Sequence, residues 1–413
     1  MKRYKTETGI FIYFLFVRIS FIILSGFNTC ELCSDSGWID MLSERVLAGN
    51  FDFDIGRFIV APFYNIFIAI HKIIFQRYWT VALISSQLIL SSLSGVCLYK
   101  IGSMLFERRT ALVSTAIFCV FPMTLWWVHT FCTESIFQSL LIISLFFLLK
   151  TVYTARYLYL ILSAIIFSIT FLTKAHILLY SPFLALYLFM NLYGYKKVFF
   201  PFVYTSICLL ATLPFGIYNL KLHNQYIISS NGSAFHFYTG NSNFGYITVV
   251  DVPEKGTEEF QKMKDMDMSF FNGEIHDKIM IKKHYIKQKE YLIYSVNWIA
   301  NNPVSFLKLK LYNAFFFIFP GVSFRHYNLR LWAFSFFVSA PFYILGYIGM
   351  IFWIKKDFKH HFFSFGIFIT MFIFSVVWYT QNRFRTITIE PIYILYAGNT
   401  LFRMTKKLKG IIY

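Results

Sequence analysis

Apolar residues in this chain neither alternate nor recur every three to four positions; they run on in blocks of about 18 residues, each long enough to cross a bilayer as a helix. Ten such blocks predict spans at roughly 10–27, 79–99, 110–129, 132–149, 157–173, 175–193, 198–218, 331–354, 362–380 and 386–402. Two shorter apolar stretches are too brief to span. Phe58 to Ile70 is broken by Pro62, and Leu311 to Phe319 is stopped by Pro320-Gly321, so both predict helices lying along the outer membrane face. The first block is long for a signal peptide, carries Arg18 in mid-run and lacks a small-x-small cleavage site, which makes it an uncleaved first helix. The pattern divides the chain into a membrane module 1–218 that includes an outer loop 28–78, an outer loop region 219–330, and closing helices 331–413 with a basic tail. Within the loop region, Tyr226 to Val250 carries the Gly, Asn and Ser punctuation and β-branched residues of short strands. Thr257 to Asn301 reads as helical, with Thr257 as N-cap.

Composition agrees with this reading: 57% of residues are hydrophobic and 14% charged, against about 25% charged in soluble domains. The net charge of +18 does not signal a nucleic-acid partner, because the basic residues form short knots between apolar blocks. Lys2/Arg3/Lys5, Lys100/Arg108/Arg109, Lys150/Arg156, Lys196/Lys197, Lys355/Lys356/Lys359 and Arg403/Lys406/Lys407/Lys409 all fall on one side of the predicted bundle. By the positive-inside rule that side is cytoplasmic, and so are both termini.

Most carboxylates then lie outside, and ionisable residues distant in sequence converge on that face. Glu134 opens the fourth span, Lys174 and His176 sit between the fifth and sixth, Asn219 closes the seventh, and Arg383 and Arg385 precede the tenth, near Glu390. Charge at a membrane surface is costly and marks a functional site, although a single Lys or Arg at a helix end often only snorkels to lipid. The combination of carboxylates and cations carries the functional reading. The Cys30-x-x-Cys33 pair has no second ligand pair for zinc and no βαβ context for redox chemistry, while Cys97, Cys119, Cys132 and Cys208 sit in or at the ends of apolar helices as small hydrophobes. A local disulfide between Cys30 and Cys33 stays open, and the informative neighbour is the acid, Asp35.

From Asp35 onward the order of motifs resembles the GT-C glycosyltransferases, closest to the dolichyl-phosphate-mannose protein mannosyltransferase-like set (glycosyltransferase family 39) and the aminoarabinose transferases. "DSGWIDMLSERVLAGNF" is similar to the D-x3-Y-x3-A-x5-G loop after the first helix, with Asp35, Ile39, Ser43 and Gly49 at those positions. "APFYNIFIAI", "FERRTALVSTAIFCVFPMTLWWVHTFCTESIF", "FSITFLTKAHILLYSP", "LPFGIYNLKLHNQYIISSNGSAFHFYTGNS" and "NRFRTITIEPIYILYAG" follow in the family's order, with Thr133-Glu134 on its T-E pair. The chain departs from the pattern at Lys174-Ala175 in place of Arg-Pro, at Tyr218 in place of Arg, and in the missing first Pro of the last helix.

The resemblance implies an all-α polytopic GT-C bundle of about ten transmembrane helices with outer juxtamembrane helices and a small α/β loop region. It also implies an enzyme that transfers a hexosyl or pentosyl unit from a polyprenyl-phosphate donor to a glycan, lipid or protein acceptor outside a bacterial inner membrane. On that reading Asp35 is the base, Asp40 its alternate, and Glu134 positions the acceptor or a cation. Arg383, Lys174, Arg385 and His176 bind the donor phosphate, while Asn219 and Asn241 shape the loop over the site. No cofactor is required, though a divalent metal between Asp35 and Glu134 is conceivable. An O-antigen-type polymerase or ligase would concentrate its catalytic residues in a later loop. A lipid-linked sugar flippase would line a midplane path with charge, for which Arg18 is the main mid-span residue.

Overall fold

The computed structural model describes residues 2–26, 35–56, 58–253, 257–258, 284–322 and 329–412, and side chains at all of these but 2–4, 123, 284–287 and 407–412. Cys30, Cys33 and the middle of the outer loop therefore lie outside the described residues. Helices make up the fold, and among the described residues no strand forms; one isolated bridge joins Asp54 and Ile59.

The membrane portion is built from α1 (Lys2–Ser25), α4 (Trp79–Leu105), α5 (Arg108–Val120), α7 (Thr133–Thr154), α8 (Tyr157–Thr173), α9 (Ser181–Asn191), α10 (Lys196–His223), α15 (Leu329–Lys356), α16 (Phe358–Val377) and α18 (Glu390–Ile412). One end of the bundle carries α2 (Ser36–Leu47), α3 (Phe63–Phe75), α6 (Pro122–Val128), α11 (Ser233–Gly240), α12 (Asn243–Val249), α13 (His284–Asn301), α14 (Pro303–Ile318) and α17 (Asn382–Thr388). Among the described residues six helical stretches are long and apolar enough to cross a membrane, and Tyr157–Thr173 and Ala175–Asn191 are shorter apolar helices.

Prolines explain where continuous apolar blocks are cut. Phe121 is held extended ahead of Pro122, which splits the predicted 110–129 span into α5 and α6. Pro391, on the first turn of α18, likewise separates α17 from α18 within the predicted tenth span. At the opposite end, Lys100 pairs with Glu7 at 3.3 Å, which ties α4 to α1, and Lys406 with Glu107 at 2.8 Å, which ties α18 to the loop before α5. Between α7 and α8, Ser144 Oγ donates to Ser163 O and Ser163 Oγ to Ser144 O, both at 3.0 Å, a reciprocal polar clasp inside an apolar interface.

The strands expected over Tyr226 to Val250 do not form; that stretch folds as α11 and α12. Phe235 and Tyr238, three positions apart, share one helical face and pack on Tyr291 of α13, while His236 stacks on Tyr379 and Phe237 meets Trp378, so the Gly and Asn residues end helices instead of turning hairpins. Gly240 ends α11 where a Cβ would lie 1.7 Å from Trp378 O, so only glycine lets this loop settle on the turn after α16. Asn241 Nδ2 completes the junction by donating to Phe237 O at 2.8 Å and Val377 O at 3.0 Å.

Candidate active site

Three helix ends and one loop meet at the end of the bundle that carries the short helices. Asp35 stands as N-cap of α2, Glu134 lies in the first turn of α7, Lys174 follows the last residue of α8, and Arg383 lies in the first turn of α17. Local contacts set each position. Trp38 Nε1 donates to Asp35 Oδ1 at 3.3 Å, and Thr133 Oγ1 donates to Glu134 Oε2 at 3.1 Å. Gln138 Nε2, one turn into α7, donates to Thr386 O at 3.0 Å and fixes α17 against α7.

The four charges form one network. Arg383 Nη1 donates to Asp35 Oδ2 at 2.9 Å and approaches Glu134 Oε1 at 3.5 Å, while Lys174 Nζ donates to the same Glu134 oxygen at 2.9 Å. Gln381 Oε1 receives Arg383 Nε at 2.5 Å. Glu134 is fully buried, whereas Asp35 and Arg383 keep about a quarter of their side chains exposed. Burial lowers the proton affinity of Lys174, against the pull of Glu134, and Arg383 adds to the lowering. For Arg383 burial acts the same way, but the charges around it, Glu134 foremost, outweigh it and raise the guanidinium above its ordinary value. Two carboxylates and two cations leave the site near neutrality, with Arg383 and Asp35 at its open side.

Other residues singled out in the sequence have different surroundings. Asp40 is half-exposed and ion-paired with Lys72 at 2.7 Å, as is Glu44 at 2.5 Å, and Lys72 lies over the Trp79 ring. Arg385 is buried, and its hydrogen bonds go to backbone carbonyls: Phe316 and Phe317 at 3.2 and 3.0 Å, Phe319, and Gly321 at 2.9 Å. It therefore caps the C-terminus of α14, beside Tyr343 and Glu390, and the structure leaves the cationic side of the site to Arg383 and Lys174. His176 sits behind Lys174 among Phe137, Phe374 and Phe384, with ring centroids 5.0–5.5 Å apart. Its Nε2 is buried without a hydrogen bond. Asn219 donates to Phe215 O within α10, at 2.8 Å, and Asn241 pins α11 as described.

Cys132, which its position suggests is a small hydrophobe, is instead disulfide-bonded. Cys97, Cys119 and Cys208 are free, so its partner lies outside the described residues. Reading the sequence did not find Tyr379 and His236. Tyr379 stands four residues before Arg383, whose charge acts on its hydroxyl, and burial raises that hydroxyl above the ordinary range. His236 stacks on Tyr379 at 5.3 Å. Both come from aromatic-rich outer segments whose chemistry is invisible until the loop is folded.

A divalent metal between Asp35 and Glu134 would need both carboxylates free. Here they share Arg383, and the described residues hold no group of three His, Cys, Asp or Glu suited to a metal. No step below is routed through a metal.

Residues 60–218 match the family model of dolichyl-phosphate-mannose-protein mannosyltransferase. No curated protein sequence matches the chain. Among solved structures, an Archaeoglobus fulgidus oligosaccharyltransferase, AglB, in complex with an inhibitory peptide and a dolichol-phosphate, is similar over 98% of this chain and 51% of its own. Its TM-score is 0.58 at 13% identity. The Archaeoglobus fulgidus oligosaccharyltransferase tethered to an acceptor peptide containing the NVT sequon is similar over 97% of this chain and 50% of its own, with TM-score 0.60 and 15% identity. The chain thus spans about half the length of these structures. Residues 60–218 are thus similar to the dolichyl-phosphate-mannose-protein mannosyltransferase family, and the chain as a whole shares the fold of the Archaeoglobus fulgidus oligosaccharyltransferase structures.

Proposed function

We propose that this protein is a membrane glycosyltransferase that moves a sugar from a polyprenyl-phosphate donor to an acceptor hydroxyl at the extracytoplasmic face. The observation that carries the reading is the meeting of Asp35, Glu134, Lys174 and Arg383 at one membrane surface. The family match over 60–218 and the dolichol-phosphate complex of AglB support a lipid-phosphate donor. The disulfide at Cys132, two residues before Glu134, supports an outward-facing site, because disulfides persist in oxidising compartments. The basic knots at the opposite end support cytoplasmic termini, and a bacterial inner membrane suits the compact loops.

The reaction is a single displacement. Asp35 accepts the proton of the acceptor hydroxyl as its oxygen bonds to the sugar's anomeric carbon. The bond from that carbon to the donor phosphate oxygen breaks on the opposite side, the electron pair leaves with the phosphate, and the anomeric configuration inverts. The departing phosphate gains negative charge, which Arg383 and Lys174 stabilise as fixed cations. Glu134 holds both cations in place. Arg383 donates to Asp35, so a donor phosphate that engages the guanidinium loosens the carboxylate for its task.

The test compares wild type with Asp35→Asn on radiolabelled polyprenyl-phosphate sugars with a membrane-lipid acceptor pool, with donor binding measured alongside. A fall of about 10²-fold or more in transfer with donor binding retained is expected for loss of a general base. Equal transfer by the variant, or no turnover of any monophosphate donor by wild type, sinks the reading.

A further inference from the structure

Beside the charged quartet stands a side chain that the mechanism leaves idle. His236 lies midway along α11, and α11 is pinned at both ends to the turn that leads into α17. Trp378 Nε1 donates to Ser233 O at 3.0 Å at one end, and Asn241 Nδ2 donates to Val377 O at 3.0 Å at the other. The His236 ring is thereby fixed: it stacks on Tyr379 at 5.3 Å with 28° between planes, and meets Phe58 edge-on at 4.9 Å. It is partly exposed, and neither ring nitrogen makes a hydrogen bond among the described residues. Arg383, Lys174 and Asp35 all lie close enough for their charges to act on it. Burial, joined by the two cations, pushes its pKa down to about 4, so the imidazole is neutral under physiological conditions. That value is far from the operating pH and makes it a poor general base. A neutral imidazole with both nitrogens free can instead donate one hydrogen bond and accept another.

Its position says to what. In a single displacement the anomeric carbon must lie between the phosphate held by Arg383 and Lys174 and the acceptor oxygen held by Asp35. A group near all three borders the sugar ring itself. We propose that His236 is a sugar-contacting residue that hydrogen-bonds a hydroxyl of the transferred unit, with the Tyr379 and Phe58 rings shaping the same wall. The assignment rests on the proposed reaction and deepens it, by placing part of the sugar specificity on α11 of the outer loop. Sites built to hydrogen-bond a hydroxyl reject the analogue that lacks it, because their polar group is left unpaired.

The experiment uses the full chain in lipid nanodiscs, as wild type, His236→Ala and His236→Gln. Thermal shifts are measured with polyprenyl phosphate and with polyprenyl-phosphate mannose, glucose and galactose. Transfer is measured from the sugar that wild type prefers and from its deoxy forms. Expected is an extra shift from the sugar in wild type that shrinks in His236→Ala and partly returns in His236→Gln, with the shift from bare polyprenyl phosphate unchanged in all three. One deoxy donor loses about tenfold with wild type but almost nothing with His236→Ala, the size of one good hydrogen bond. Equal deoxy losses in wild type and His236→Ala, or no sugar-dependent shift in wild type, overturn the assignment. A sugar-dependent shift without any transfer overturns the transferase reading and leaves the contact standing.

Discussion

Replacing Arg383 tests the electrostatic logic of the site most directly. Its Nη1 serves Asp35 at 2.9 Å and Glu134 at 3.5 Å, and Lys174 supplies the second positive charge to Glu134 at 2.9 Å. Two carboxylates against two cations balance; Arg383→Gln leaves one net negative charge where a phosphate must bind. A charge-assisted hydrogen bond contributes about 1.5–3 kcal/mol. An uncompensated charge about 5 Å from a phosphate costs about 3 kcal/mol at an effective dielectric near 20. Arg383 is 27% exposed, and water screens part of both. The discounted sum is about 3–4 kcal/mol, or roughly 10²- to 10³-fold in kcat/KM. Arg383→Lys keeps the charge and loses the planar fork, so a loss of roughly tenfold is expected there. The assay is transfer from polyprenyl-phosphate sugar under subsaturating donor, with the pH profile recorded. Because Arg383 also lowers the proton affinity of Lys174, the alkaline limb of the profile should move to higher pH in Arg383→Gln. Activity of Arg383→Gln within about threefold of wild type would refute the reasoning. So would equal losses in the Lys and Gln variants, since charge would then not be what matters.

Gly240→Ala drives a Cβ to 1.7 Å from Trp378 O, so the turn that carries Tyr379 and Gln381 must shift. A drop in thermal stability of about 1–3 kcal/mol together with reduced transfer is expected, and a wild-type melting curve would contradict it. Lys310 donates to Val377 O at 3.1 Å and sits near Gly240 O, and burial lowers its pKa to about 7. Between that value and its ordinary one the unfolded chain holds a proton that the native chain lacks, so stability rises with pH and is lost again as pH falls toward 7. The melting temperature of wild type in detergent should therefore climb between about pH 7 and 9, and Lys310→Met should flatten this dependence; identical slopes would remove Lys310 as its source. Arg385→Leu strips the cap from α14 and leaves the carbonyls of Phe316, Phe317 and Gly321 without this donor, an expected loss of about 1–3 kcal/mol in stability with the donor KM of the folded fraction unchanged. A raised KM at unchanged melting temperature would return Arg385 to the phosphate.

The membrane helices were legible in the sequence because unbroken apolar length is what a bilayer requires of a span: five of the six long candidates fall on predicted blocks, and the sixth, Phe63–Leu105, contains the block 79–99 together with much of the stretch expected to lie along the surface. Their interruptions at Pro122 and Pro391 were legible in principle, as proline is a local signal, yet hydropathy ran straight through both. The meeting of Asp35, Glu134, Lys174 and Arg383 followed from topology alone, since each opens or closes an element on the same face. Arg383 and Arg385 could not be told apart by that reasoning. They are two residues apart on a short helix and point to different sides, one to the carboxylates and the other to the end of α14. The stretch Tyr226 to Val250 was read wrongly as strands because β-branched and Gly residues carry weak signals there, and aromatic docking onto α13 decided the outcome. His236 was missed for the same reason. Its partners come from three distant segments that no spacing rule connects.

Asp35 and Arg383 lie 348 positions apart, whereas Glu134 and Lys174 are separated by 40. A ribosome feeding this chain into the membrane therefore delivers the two halves of the site at very different times. Glu134 receives its lysine as soon as the α7–α8 hairpin is in place, and its charge is compensated while most of the protein is still unmade. Asp35 waits on the outer surface, solvated by water, until the closing helices arrive. On the proposed mechanism, truncated or stalled chains hold a carboxylate and a lysine but no guanidinium, and transfer no sugar. The active arrangement becomes available only when synthesis is nearly finished.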